Sequence, residues 1–294
     1  MELNSAIVST APLPAASIVM LRDAADGLEV FLMQRHGLSD VLGGAYVFPG
    51  GKLDANDAEL DMQAHLDQSV EQLHRALNEP ETDARRAAAL YVAGLREAFE
   101  ESGVLFAQGM GAGEAVDFAQ AGALLRQGHA FDEVLALLRL RLSTREMVPW
   151  SRWITPRVPS VSFKRFDTRF FVAAAPADQV ARHDNRETTQ SMWLRPRAAL
   201  EQYWAGSIEL APPQIMGLAH LARHASVAEV LDSARGRLPP VIAPEPFDDE
   251  GTRVICYPGD ERHSVRERAL PGPTRLAYRN KRFEPPGGFE ALFA

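Results

Sequence analysis

Hydrophobic and polar positions alternate between two patterns along the first hundred residues. Residues 16–22 (Ala-Ser-Ile-Val-Met-Leu-Arg) and 28–35 (Leu-Glu-Val-Phe-Leu-Met-Gln-Arg) are short apolar or β-branched runs, the form that buried strands take. The turn residues Asp23 to Gly27 separate them, which predicts a hairpin of core strands. A short strand at Tyr46 to Phe48 runs into Pro49-Gly50-Gly51, where glycine permits a tight turn. The period then becomes helical. Between residues 58 and 78, Leu66, Val70, Leu73 and Leu77 form one apolar stripe, and Pro80 breaks the segment. An Ala-rich helix is predicted from about Asp83 to Ser102, with Thr82 as its N-cap and Gly103 as its stop. Residues 107–128 are rich in Gly and Ala and show no clear period. Residues 131–142 read as another amphipathic helix, residues 152–155, 166–175 and 188–194 as extended runs, and residues 213–224 as a helix. Beyond Arg237 the proline content rises and short strands and turns are expected. We treat residues 238–294 as an extension of a main domain over residues 1–237.

Composition narrows the function. The 294 residues are 46% hydrophobic, ample for a large core, and the formal charge is −8. That charge argues against nucleic-acid or anionic-membrane partners, which call for a basic surface. It does not exclude an anionic small molecule, because a bound divalent cation reverses the local field. One cysteine, Cys256, leaves no internal disulfide and no multi-cysteine zinc cluster, and suits a reducing cytoplasm. The first residues do not form a signal peptide, no apolar run is long enough to span a bilayer, and Ala291-Leu292-Phe293-Ala294 is not a peroxisomal Ser-Lys-Leu address. A soluble cytoplasmic protein with a small-molecule partner is expected.

The chemistry concentrates in Leu95-Arg96-Glu97-Ala98-Phe99-Glu100-Glu101-Ser102-Gly103-Val104. Helical spacings of three and four bring Glu97, Glu100 and Glu101 onto one face, with Ala88, Tyr91, Leu95, Ala98 and Phe99 opposite. Three crowded carboxylates repel one another, and in the last turn of a helix the macrodipole also disfavours them. Each penalty is on the order of a few tenths to 1 kcal/mol at an exposed site. A hard cation such as Mg²⁺ or Mn²⁺, which takes oxygen ligands, removes both penalties. Alone, the same pattern also describes a solvated acidic helix end.

Two upstream features separate these readings. Phe48-Pro49-Gly50-Gly51 precedes the helix, and Asp57 stands six residues after Gly51. With Arg96, Glu97, Ala98, Glu100, Glu101, Gly103 and Val104, the set resembles the Nudix box. This resemblance implies an α+β fold, an α/β/α sandwich with a mixed sheet. It also implies metal ligation by Glu97, Glu100 and Glu101, carboxylate orientation by Arg96, and structural support of the box by Asp57 and Gly103. The sequence departs from the family pattern at Asp57, where Glu is usual, and in the 38 residues between Asp57 and Arg96 where the common box has seven. An excursion over about residues 58–82 that returns near its exit would accommodate the difference, since closure entropy grows slowly with loop length. A box split by a helical insertion resembles the subgroup that includes the mammalian peroxisomal coenzyme A diphosphatase. Trp150 to Pro156, Lys164 to Phe171, Leu210 to Gln214 and Pro258 to Glu261 are similar to segments of that subgroup.

The substrate expectations follow from this resemblance. Arg35, Gly44 and Phe48 to Gly51 fit the coenzyme A signature of the family, while His36 replaces a small residue and Asp40 replaces a second Arg. Arg35, Gly50 and Gly51 are thus candidate substrate contacts. Lys164 and Arg165, with Arg169, are the cations available to compensate for Asp40, or form a basic cluster at a strand end. Glu187, six positions before Trp193, matches a loop carboxylate that adds a metal ligand or acts as the base, with Glu100 the competing base. The expected reaction is metal-dependent cleavage of coenzyme A or an acyl-CoA into 3',5'-ADP and (acyl-)4'-phosphopantetheine. Hydrolysis of ADP-ribose or a dinucleotide, and a silent nucleotide-sensing module, are the alternatives. The strand-like runs of the extension suggest a homodimer. His220 and His224 have zinc-like spacing without the adjoining Glu and read as helix-surface histidines; Gly109 to Gly113 reads as a loop.

Overall fold

The computed structural model describes residues 7–39, 42–111, 114–158 and 164–294. The first hairpin is present as β1 (Leu13–Ala24) and β2 (Gly27–Arg35), antiparallel with Leu21 opposite Val30. The two strands part beyond that pair, and the next segment fills the space between them. Its first piece, β3 (Tyr46–Val47), pairs with Met33 and Gln34 of β2. Its second, β4 (Gly50–Lys52), pairs with Ala15 to Ser17 of β1.

Three short helices follow, α1 (Ala55–Glu59), α2 (Met62–His65) and α3 (Val70–Leu77), and then the long α4 (Ala84–Ser102). A ribbon of β5 (Ala107–Gly109) and β6 (Leu140–Leu142) brackets α5 (Phe118–Arg126) and α6 (Phe131–Leu137). The main sheet continues with β7 (Val148–Ile154), β8 (Phe166–Ala174) and β9 (Thr188–Leu194). Helices α7 (Pro196–Trp204), α8 (Pro212–Leu221) and α9 (Val227–Arg235) lead to its edge strand β10 (Val241–Ile242). A second, antiparallel sheet contains β11 (Glu245–Asp249), β12 (Thr252–Cys256), β13 (Arg275–Arg279) and β14 (Arg282–Glu284).

The main sheet is ordered β10-β7-β8-β1-β2-β3, with β4 on β1 and β9 on β2. It is mixed, because β1 runs parallel to β8 and β10 parallel to β7. Alternate side chains of a strand face opposite sides of a sheet, and here each side meets its own helical layer. Ile18, Met20, Phe31 and Met33 pack under α4, while Val19, Leu21, Val30 and Leu32 pack with α7, α8 and α9. This is an α/β/α sandwich of the α+β class, as expected. The last sixty residues join the second layer. Ile255, Tyr257, Leu276 and Phe283 belong to its core, and Tyr203 Oη donates to Phe283 O at 3.0 Å while accepting from Phe283 N at 2.8 Å. No helix among the described residues is long and apolar enough to cross a membrane.

Several elements differ from expectation. The single helix over residues 58–78 is three, because Asp61 and Ser69 each accept an N–H three residues ahead and start a new helix. Leu66, on the predicted stripe, lies between helices and bridges to Leu142. The cap of α4 is Asp83, which accepts from Arg86 N at 2.9 Å, while Thr82 donates to Glu79. Helix 131–142 stops at Leu137, since Arg139 turns with a φ of 51° and residues 140–142 are needed by the ribbon. Helices α7 and α9 and the ribbon partner β5 lay in stretches without a predicted element.

The excursion returns close to where it leaves. Arg85, in the first turn of α4, donates from Nε to Ala58 O at 2.7 Å. Its return limb is anchored by charge. Arg152 and Arg169 stand directly opposite each other on β7 and β8, a pairing of like charges that is unfavourable alone. Glu79 relieves it from the insertion, accepting from Arg169 Nε at 2.9 Å and Nη2 at 2.5 Å. Asp167 chelates Arg152 at 2.8 Å through both oxygens, and Glu81 accepts from Arg152 Nη1 at 2.6 Å. Glu79 and Arg169 are both buried. Removing one partner of a buried pair strands the other charge, so Glu79→Ala is expected to lower stability by about 3–5 kcal/mol in urea denaturation. A loss below about 1 kcal/mol, the range of surface pairs, would contradict this anchoring role.

Candidate active site

The site forms where α4 ends against β4. Helix α4 packs its alanine-rich side on β1, so closely that a Cβ at Gly94 would meet Met147 and Ile18. Its last turn ends at Gly103, whose φ of +71° is the left-handed geometry that closes a helix. The expected role of the glycine pair as a turn is replaced by another. Gly50 and Gly51 lie in a strand, and what they supply is closeness. A Cβ at Gly50 would strike Ala16 O and Ser17 Cα of β1, and one at Gly51 would land on the Glu97 carboxylate.

Arg96 organises the group. Nε and Nη2 donate to the two oxygens of Asp57 at 2.8 and 3.1 Å, and Nη2 also to Lys52 O at 3.0 Å. Nη1 donates to Glu97 Oε1 at 2.8 Å and to Glu100 Oε2 at 3.0 Å. All five N–H groups of the guanidinium are thereby used. The shorter Asp57, standing where the family has Glu, reaches Arg96 because α1 carries it there. Asp57 also accepts from Asp54 N at 2.8 Å, and its side chain is almost wholly buried. Asp54 adds a longer contact to Arg96 at 3.8 Å. Asp54 went unnoticed in the sequence, although an acid followed three residues later by another is the signature of a helix start.

Glu101 turns the other way and accepts from Gly50 N at 2.9 Å. The glutamates are therefore neighbours that do not meet at one point. Among the described residues no three Asp, Glu, His or Cys side chains converge closely enough to hold a metal. Their electrostatics nevertheless show a shortage of positive charge. Burial raises the Glu101 carboxyl to about 8, with help from Glu97 and Glu187 and against the Gly50 N–H and Arg35. Burial likewise raises Glu97 to about 7, against Arg96 and with repulsion from Glu100 and Glu187. Glu100 is also raised, burial outweighing Arg96. An all-oxygen donor set that is wholly or partly buried and short of cations suits a hard divalent ion.

Glu187 is thus brought to the group from the β8–β9 loop. Asp184 shapes that loop, accepting from the backbone N–H of Arg186, Glu187 and Thr188 at 3.0–3.1 Å and from the Thr188 hydroxyl at 2.9 Å. His36 N donates to Glu187 O at 2.8 Å, which ties the loop to the end of β2. Arg35 acts electrostatically on Glu101, and its buried Nε has no hydrogen-bond partner among the described residues. Asp184 was not singled out in the sequence, because a turn made by one carboxylate looks like any polar loop.

Arg165 donates instead to Thr155 O and Thr10 O at 3.0 and 2.9 Å, and Arg169 is held by Glu79. Lys164 is exposed and lies two residues before β8. Asp40 lies outside the described residues. His220, expected on a helix surface, is instead buried and stacked on Trp150 with ring centroids 5.3 Å apart.

A glutamate-rich helix end set against a glycine strand, on a mixed sheet between two helical layers, is the arrangement of a Nudix hydrolase. A solved Nudix hydrolase from Alicyclobacillus acidocaldarius matches with a TM-score of 0.62 and 26% identity, over 79% of this chain and 98% of that one. The family model described as the NUDT19 Nudix domain matches residues 4–221, and the chain belongs to that family. Among its relatives, the acyl-coenzyme A diphosphatase NUDT19 of Xenopus laevis is 28% identical over 79% of this chain and 70% of its own length. The human protein of the same name is 27% identical over 72% of this chain and 65% of its own length.

The raised carboxyls have a consequence for stability. Below about pH 4.5 Glu101 is protonated in both folded and unfolded chains and contributes no pH dependence. Between there and about 8 the unfolded chain ionises while the folded site keeps its proton, so stability falls as pH rises. In the presence of a chelator, the melting temperature of the wild type relative to Glu101→Gln is expected to decline across that window. Parallel melting curves for the two proteins would show that the burial of Glu101 carries no such penalty.

Proposed function

We propose that this chain hydrolyses the phosphoanhydride bond of coenzyme A or an acyl-CoA, releasing 3',5'-ADP and (acyl-)4'-phosphopantetheine. The observation that carries the reading is the largely enclosed, cation-poor carboxylate group of Glu97, Glu100 and Glu101 in a chain with relatives named acyl-coenzyme A diphosphatases. Nudix hydrolases generally use divalent metal ions. Here Glu97, Glu100 and Glu101, once turned toward one another from their present contacts with Arg96 and Gly50 N, would hold Mg²⁺ or Mn²⁺, which when bound neutralises phosphate oxygens and acidifies water.

The other residues act by position and charge. Arg96 holds Glu97 and Glu100, and Asp57 holds Arg96. Gly51, lacking a side chain, lets the Glu97 carboxylate lie against the strand, and Gly50 N–H holds Glu101. Arg35, with an uncommitted Nε, offers a donor to a phosphate oxygen. Glu187 or Glu100 accepts the proton of the attacking water, the former held out by the Asp184 turn and the latter at the end of α4.

The test is a product assay with Mg²⁺ or Mn²⁺ against coenzyme A, acyl-CoAs, ADP-ribose and NADH. Coenzyme A or an acyl-CoA should have the highest kcat/KM. Glu100→Gln and Glu101→Gln are each expected to lower kcat by on the order of 10²-fold with circular dichroism unchanged. Clear preference for ADP-ribose would reject the substrate, and near-normal rates in both variants would reject the carboxylate assignment.

A further inference from the structure

The segment that leads from the glycine strand into the excursion also builds a wall. A pocket of about 390 Å³ lies between α1, α4 and the start of α6, within the size range of small-molecule sites. It adjoins the candidate active site, since Arg96 and Glu100 line both. Leu60, Val92 and Phe131 give it an apolar interior, and all three are buried. Asp54, Glu100 and Asp132 give it an acidic rim, while Asn56 adds an amide.

The charge arrangement decides what can enter. The one cation in the lining among the described residues, Arg96, has every donor already engaged by Asp57, Glu97, Glu100 and Lys52 O, and so has none to offer a phosphate. A phosphate-bearing group would face Asp54 and Asp132 without a partner, which is unfavourable in a partly desolvated pocket. An uncharged chain with apolar stretches and N–H or O–H donors matches both the interior and the rim. In a nucleoside-diphosphate derivative cut at the neighbouring carboxylates, only one half can have this character.

We infer that this pocket takes the uncharged, amide-bearing arm of the substrate, the pantetheine side of coenzyme A, and leaves the phosphate-bearing adenosine half on the Arg35 side. The segment from Asp54 to Leu60, which leads into the box insertion, then serves as a specificity element and forms one wall. This inference rests on the diphosphatase reading for its substrate, but not for its test.

Two bulky substitutions on opposite walls probe it. Ala55 is exposed and Ala130 half-buried, so Ala55→Trp and Ala130→Trp fill the pocket from its margins. Titration of the full chain with pantetheine alone, followed by calorimetry or NMR, should show binding that either variant weakens by at least about tenfold. With coenzyme A as substrate, KM should rise by more than kcat falls, while inhibition by 3',5'-ADP stays as in the wild type. Absence of pantetheine binding to the wild type overturns the inference, as does unchanged binding in both variants. Equal weakening of 3',5'-ADP also overturns it, because the adenosine half would then be the occupant. Pantetheine binding lost in the variants, without coenzyme A turnover by the wild type, supports the pocket and sinks the diphosphatase reading instead.

Discussion

The guanidinium of Arg96 is the interaction on which the site depends. Buried between Asp57, Glu97, Glu100 and the carbonyl of Lys52, it joins an insertion helix, the carboxylate helix and the glycine strand through one planar group. Arginine suits this position because its fork of five donors can satisfy several carboxylates at fixed angles, which a lysine ammonium cannot do. Its positive charge still leaves the group short of compensation. Glu97 and Glu101 both remain above the usual carboxylate range because burial outweighs every cation that reaches them. That shortage of positive charge is a property of depth as much as of sequence.

The fold achieves this depth by bringing backbones together. The parting of β1 from β2 admits the strand of Gly50 and Gly51, and only residues without a Cβ fit between β1 and the Glu97 carboxylate. The insertion is fastened at both ends of its path, by Arg85 at its exit and by Glu79 against the opposed Arg152 and Arg169 at its return. The anchored return lets α4 begin in register although many residues intervene.

Legibility in the sequence followed the range of the forces involved. The first hairpin, the long helix and its glycine stop were readable because each rests on contacts between residues close in the chain. The segment from 58 to 78 was misread as one helix because its apolar spacing is helical, while the capping side chains of Asp61 and Ser69 break it locally. The ribbon formed by residues 107–109 and 140–142 was unreadable, since each strand is only three residues long and is defined by the other. Likewise, Arg165 and Arg169 looked like free cations, and their commitment to Thr155, Thr10 and Glu79 is visible only in three dimensions.

The sequence by itself determined which residues gather as candidates for the chemistry: the glutamates in one helical turn, the arginine beside them, and the glycines before them. Their spacing follows from helix geometry and needs no partner. Tertiary structure alone decided how deeply those carboxylates are buried, that Asp57 closes on Arg96 across the insertion, that Asp184 presents Glu187 to them, and that a pocket opens beside them. The reason is physical. Burial, charge compensation and cavities arise between segments distant in the chain, and no local pattern encodes which distant segments will meet.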